Sequence, residues 1–202
     1  VSVKRLDLKA AIEFSKFLGL EDYNKMLSTV LESWYHATKK QEALSLSSLN
    51  RFTSELSLSS TINPFATTIQ SLLISSYLGL SEETKNKYDF ILKTPSSIPP
   101  RFIMQLAQII YINGEKLKAK KFLEKNLPDG FDLNNSTIIL ENTTAINPVE
   151  AIADIFFEYG IVVSKNKNSF SAIPNFWISL YLKPNNNDLR LALSSIFSRL
   201  ND

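Results

Sequence analysis

Apolar residues recur at helical spacing along most of this chain. Tyr23, Met26, Leu27, Val30, Leu31 and Trp34 fall at i, i+3, i+4, i+7, i+8 and i+11. That period lays one apolar stripe along a helix and predicts a helix over 21–36. Leu8, Ala11, Ile12 and Phe14 predict an earlier one over 7–18, which Gly19 breaks. Leu46, Leu49, Phe52 and Leu56 predict a third over 41–56, after a polar loop at 38–41. The Ser-rich stretch at 57–61 is the expected flexible point of the first third. Asn63-Pro64 is a start signal, because Asn accepts free backbone N–H groups and Pro fits the first helical turn. That helix should end at Gly79, and Ser81 should open the next, which carries Tyr88, Ile91 and Leu92.

The stretch 99–127 organises the rest. Ile103, Leu106, Ala107 and Ile110 form one stripe, and Leu117, Ala119, Phe122 and Leu123 form another. Gly114 lies between them, where a chain leaving a helix benefits from a residue that tolerates positive φ. Two antiparallel helices are expected, brought close by the small Ala107 and Ala119. Pro128-Asp129-Gly130 closes this hairpin. The region 131–146 is ambiguous, since 137–140 fits a short helix or a short extended piece. Asn147-Pro148-Val149-Glu150 is a strong helix start, with Glu150 placed as in a capping box. Ile152, Ile155, Phe156 and Tyr159 follow, and Gly160 is the expected end. A polar loop at 164–168 and a final hairpin over 174–182 and 188–200 complete the chain.

Ile103, Leu106, Ala107, Ile110, Gly114, Ala119 and Leu123 carry a resemblance to one tetratricopeptide repeat. That family alternates large and small apolar residues on its first helix, turns at a Gly or polar residue, and places Ala in its second helix. Asn126 stands where a small apolar residue is usual, and Pro128 comes earlier than the family's closing Pro. Tyr77 and Tyr111 are 34 positions apart, as are Tyr88 and Phe122, which is the tetratricopeptide length. Leu73-Ile74-Ser75-Ser76-Tyr77 is similar to the first helix of the related pentatricopeptide repeat, which binds RNA. The better match covers about 30 positions of the chain. The resemblance implies an all-α fold: antiparallel helical hairpins stacked as an irregular right-handed α-solenoid. About ten or eleven helices are expected, in a single helical-repeat domain over 1–202.

Composition narrows the chemistry. The chain has 202 residues, 44% hydrophobic and 21% charged, as in an ordinary folded protein. A net charge of +2 is no electrostatic trap for nucleic acid or an anionic membrane. With no Cys, disulfides, thiolate nucleophiles and Cys-based metal sites are excluded. The five glycines are too far apart for a phosphate loop. His36 is the only His, so multi-His zinc sites are absent, and at a helix end it reads as a partner of the helix dipole. No apolar run approaches the ~20 residues of a membrane helix. The three Asn-x-Ser/Thr triplets at Asn134, Asn135 and Asn142 read as chance in an Asn- and Ser-rich chain. The chain begins at Val1 rather than Met and reads as a fragment or a trimmed chain. The expected setting is intracellular: cytoplasm, the cytosolic face of an organelle, or the mitochondrion should the chain bind RNA.

Three groups of residues remain as candidates. Asp154 and Glu158 share a helix face and read as its solvated side ahead of an acid/base pair. Lys118, Lys121 and Lys125 share a face of the second hairpin helix, suited to an acidic peptide, a terminal carboxylate or a phosphate backbone. A solvated outer face is the plainer reading of those lysines. Trp34, Tyr35, Trp177 and Tyr181 are candidates for a patch or for helix seams. Arg101, Gln105 and Gln108 lie on the first hairpin helix, away from its stripe, where repeat solenoids form their groove. The expected function is a non-enzymatic adaptor or scaffold, without cofactor, that binds a protein or peptide segment there. RNA binding of the pentatricopeptide type is the alternative.

Overall fold

The computed structural model describes residues 8–15, 21–56, 64–93, 98, 100–127, 129–130, 132–166 and 169–201. These residues form eleven α-helices and one short 3₁₀ turn, with no strand among them. The chain divides into two compact units, 1–67 with 147–202, and 68–146. The loop expected at 57–61, Gly19, the start signal at Asn63 and the prolines at 95, 99 and 128 lie outside the described residues.

The first unit holds α1 (Leu8–Ser15), α2 (Glu21–Thr38), α3 (Glu42–Leu56), α9 (Pro148–Asn166), the 3₁₀ turn (Ser169–Ala172), α10 (Ile173–Leu182) and α11 (Asn187–Asn201). Helix α2 packs on α1, α3 and α9, and α9 packs on α10 and the 3₁₀ turn. Leu27, Leu31, Trp34, Leu49, Phe156, Tyr159 and Phe176 are fully buried there. Trp34 therefore belongs to the core rather than to a surface patch.

Helix α4 (Pro64–Leu78) carries the chain into the second unit, followed by α5 (Ser81–Lys93), α6 (Pro100–Ile112), α7 (Lys116–Asn126) and α8 (Leu133–Glu141). Helix α6 packs on α5, α7 and α8. Leu72, Tyr88, Leu106, Ala107, Ile110, Ala119, Leu123 and Leu140 are enclosed. The ambiguous stretch at 137–140 is helical. Its N-cap is Asp132, whose side chain accepts from the Asn135 backbone N–H at 3.1 Å.

One link occurs three times. After α2, α4 and α6 the chain turns through a left-handed residue: Lys40 at φ 59°, Gly79 at φ 79° and Gly114 at φ 92°. In each, that residue's N–H bonds to the carbonyl three back, at Ala37, Ser76 and Tyr111. The next N–H bonds to the carbonyl five back, at His36, Ser75 and Ile110. This pairing uses two orphan carbonyls of the helix end, and the next helix starts at once. Gly79 and Gly114 are 35 positions apart. These two turns thus recur one position further apart than the 34 of the tyrosine spacing. Five positions beyond each left-handed residue stands a fully buried residue of modest size: Ser45, Thr84 and Ala119. Twelve positions before each of these is another fully buried residue, Ser33, Leu72 and Ala107. In the first pair Ser45 Oγ donates to the Ser33 carbonyl at 2.8 Å, as only closely approaching helices allow.

Helix α9 does not end at Gly160. It continues to Asn166, because here Gly makes room for a neighbour rather than for a turn. A Cβ on Gly160 would lie 2.4 Å from Cε1 of Phe176, on α10. At its start, Asn147 Oδ1 accepts from the Val149 N–H at 3.0 Å. Glu150 reaches back as expected, but to the Asn147 side-chain amide at 3.1 Å.

Candidate interaction site

Polar side chains of α5 and α7 are heavily cross-tied. Lys118 Nζ stands 2.5 Å from Asp89 Oδ1 and 2.9 Å from Glu115 Oε2. It also lies 4.9 Å from the centre of the Tyr88 ring, within cation–π range. Glu115 takes a second cation, Lys85, at 2.7 Å. Asn113, in the α6–α7 link, donates to both the Tyr88 hydroxyl and the Ser81 carbonyl at 3.2 Å. Hydrogen bonds from Lys85 and then Lys118 bring the Glu115 carboxyl down to about 2. Burial opposes the charge on Lys118, but Asp89 and Glu115 outweigh it and hold its pKa above the ordinary lysine value. Burial pushes the Tyr88 phenol up. Lys120 is paired with Glu141 of α8 at 2.5 Å, which raises its pKa.

The expected basic face is thus divided. Lys118 serves the α5–α7 junction. Lys121 and Lys125 are exposed and form no ion pair among the described residues. Of the expected groove residues, Arg101 stands in the first turn of α6, its side chain outside those described. Gln105 is half-buried. Gln108 donates to Thr143 Oγ1 at 3.0 Å and fastens α6 to the segment after α8.

The acidic pair on α9 is not a solvated face. Asp154 meets Lys183 at 3.2 Å, and Glu158 is only 9% exposed. The reason is enclosure: α2, α10 and the 3₁₀ turn all pack on α9. His36 occupies the last turn of α2, with Nδ1 2.8 Å from Gln41 Oε1. No cluster of metal-ligating side chains occurs among the described residues. None of their helices is long and apolar enough to cross a membrane.

An open groove of about 690 Å³ lies beside α4 and α5. Thr68, Leu80, Ser81, Glu82, Glu83, Asn86, Lys87 and Phe90 line it. Comparison with family models, with curated proteins and with solved structures finds no match for this chain. The groove's own chemistry therefore carries the functional reading. Lys87 Nζ sits 2.5 Å from Glu83 Oε1, 2.8 Å from Ser71 Oγ and 3.1 Å from Ser75 Oγ. This ammonium is satisfied by the fold and joins α4 to α5. Glu82 is exposed and forms no ion pair among the described residues. Phe90 is 72% exposed. Sequence reasoning passed over this groove because α5 reads as a polar helix. The signal was there in Glu82, Asn86 and Phe90, spaced four apart, which ends an outward polar stripe on a large aromatic.

Proposed function

We propose that the chain is a non-enzymatic adaptor that binds a protein segment on its helical surface. One observation carries this reading: large aromatics stand exposed on the helices, Trp177 on α10 and Phe90 on the rim of an open groove whose ammonium group is already neutralised. Aromatic side chains anchor protein interfaces more often than most residues do. Lys87 with Glu83 and Lys183 with Asp154 are paired with each other.

The fold part of the proposal is an irregular tetratricopeptide-like array of antiparallel pairs, in the right-handed solenoid style. The thrice-used link and the buried pairs Ser33/Ser45, Leu72/Thr84 and Ala107/Ala119 support it. In such arrays each pair cannot bury its apolar face alone and needs its neighbours. The first helices then supply one part of the binding surface, with Arg101 and Gln105 at its edge, and the α5 groove supplies another.

The test is affinity capture by the 202-residue chain from native extract, with and without nuclease. A protein ligand retained after nuclease, and weakened by Arg101→Glu, is the expected result. Capture that vanishes with nuclease and falls steeply with salt would replace this reading by RNA binding.

A further inference from the structure

We infer that the groove on α5 takes an extended peptide segment with a Lys or Arg and an apolar side chain four residues apart. The inference rests on the adaptor reading and gives the partner its chemistry. Glu82, Asn86 and Phe90 lie four residues apart along α5 and share one outward face. All three are exposed and all three line the groove.

Their order dictates the ligand. Glu82 stands in the first turn of α5 and has no ion pair among the described residues, whereas Glu83 and Lys87 cancel each other at 2.5 Å. Glu82 calls for a cation. Asn86 offers one acceptor and two donors, which suits a passing main-chain amide. Phe90 offers apolar surface that a partner side chain would remove from water. Glu82 and Phe90 are eight positions apart, about 12 Å at ~1.5 Å per residue. An extended chain advances ~3.3 Å per residue, so about four residues cover that distance, an even spacing that keeps both side chains on one side of the segment. The groove is open to solvent, and sites for small ligands usually bury most of the ligand's surface. A chain segment that continues past both ends fits it better.

The test uses fluorescein-labelled eight-residue peptides in a Gly/Ser background, read by anisotropy against the 202-residue chain. One carries Lys and Phe four positions apart. A second has Glu in place of Lys, and a third sets Lys and Phe adjacent. The first should bind at least tenfold tighter than the other two. Phe90→Ala should weaken it about tenfold. Glu82→Lys should weaken it similarly and make the Glu peptide the tighter ligand. Both substituted positions are exposed, and circular dichroism should show the fold intact. Equal binding of the three peptides, or no response to either substitution, overturns the inference. Should nuclease-resistant protein capture persist undiminished in the Phe90→Ala/Glu82→Lys variant, the adaptor reading stands and the groove assignment falls.

Discussion

Gly160 and Phe176 are fitted to each other across the α9–α10 seam. The Phe176 ring occupies the space that a side chain at position 160 would need, its Cε1 2.4 Å and Cδ1 2.6 Å from an added Cβ. Phe176 is itself 1% exposed and has no free side to move toward. Helix α9 tolerates Gly in its interior because that seam needs it.

Gly160→Ala is accordingly expected to destabilise. Helix propensity alone would favour Ala by about 1 kcal/mol. Overpacking a core position typically costs about 1–3 kcal/mol, and the rigid ring places this site at the upper end. The net expectation is a loss of about 1–2 kcal/mol in urea unfolding. In the double variant with Phe176→Leu, the combined loss should be smaller than the sum of the two single losses. Strict additivity would mean that the two residues do not oppose each other.

The three equivalent links predict opposite effects of opposite substitutions. Lys40 adopts φ 59° where Gly79 and Gly114 adopt 79° and 92°. Lys40→Gly should stabilise by about 0.5–1 kcal/mol, since the native conformation suits Gly better. Gly114→Ala should destabilise by about 1 kcal/mol, although nothing lies within 4 Å of its added Cβ. Thermal melts of both variants, read against the wild type, decide this. Equal signs would show that the three turns are not strained alike.

Glu115 gives a pH signature. Its folded pKa, about 2, lies below the ordinary 4.5. A carboxyl depressed on folding contributes stability that is full above the unfolded value and is lost as pH falls toward the folded one. Glu115→Gln should therefore be less stable than the wild type at pH 6, and the gap should close between pH 4.5 and about 2. The pairs are largely solvent-screened, so the gap at pH 6 should be below about 1 kcal/mol. Urea midpoints of both proteins across that range test it, and a gap that stays constant would rule out the ion pairs as its source.

Two neighbours on α7 should respond very differently. Ala119 is fully enclosed against α6, whereas Leu117 is 68% exposed. Ala119→Leu would wedge the helices apart and should cost at least about 1–3 kcal/mol. Leu117→Ala should stay within about 0.5 kcal/mol. Guanidinium unfolding followed by far-UV circular dichroism measures both. A neutral Ala119→Leu would show that α6 and α7 do not need close approach.

Much of the helical order was legible in the chain. Gly79, Gly114 and Pro148 act through local backbone conformation, and the turns and the helix start stand where those residues put them. The stripes of α2 and α6 likewise face inward, as a 3.6-residue period requires. Gly160 shows the limit of such reading. Gly is equally compatible with a turn and with a tight seam, and only the arrival of Phe176 selects the seam. The α5 groove was missed for a related reason, because a polar helix does not announce which of its side chains will be consumed. Lys87 and Lys118 are engaged by residues 12 to 29 positions away, and no local pattern records that.

By itself, then, the sequence determined what depends on near neighbours: helix content, the left-handed turns, the buried stripes of α2 and α6 and the absence of Cys and multi-His chemistry. Tertiary structure alone decided which polar groups are paired and which stay exposed. Backbone conformation is set by residues within a turn or two, whereas the satisfaction of a charge depends on whatever long-range packing brings beside it.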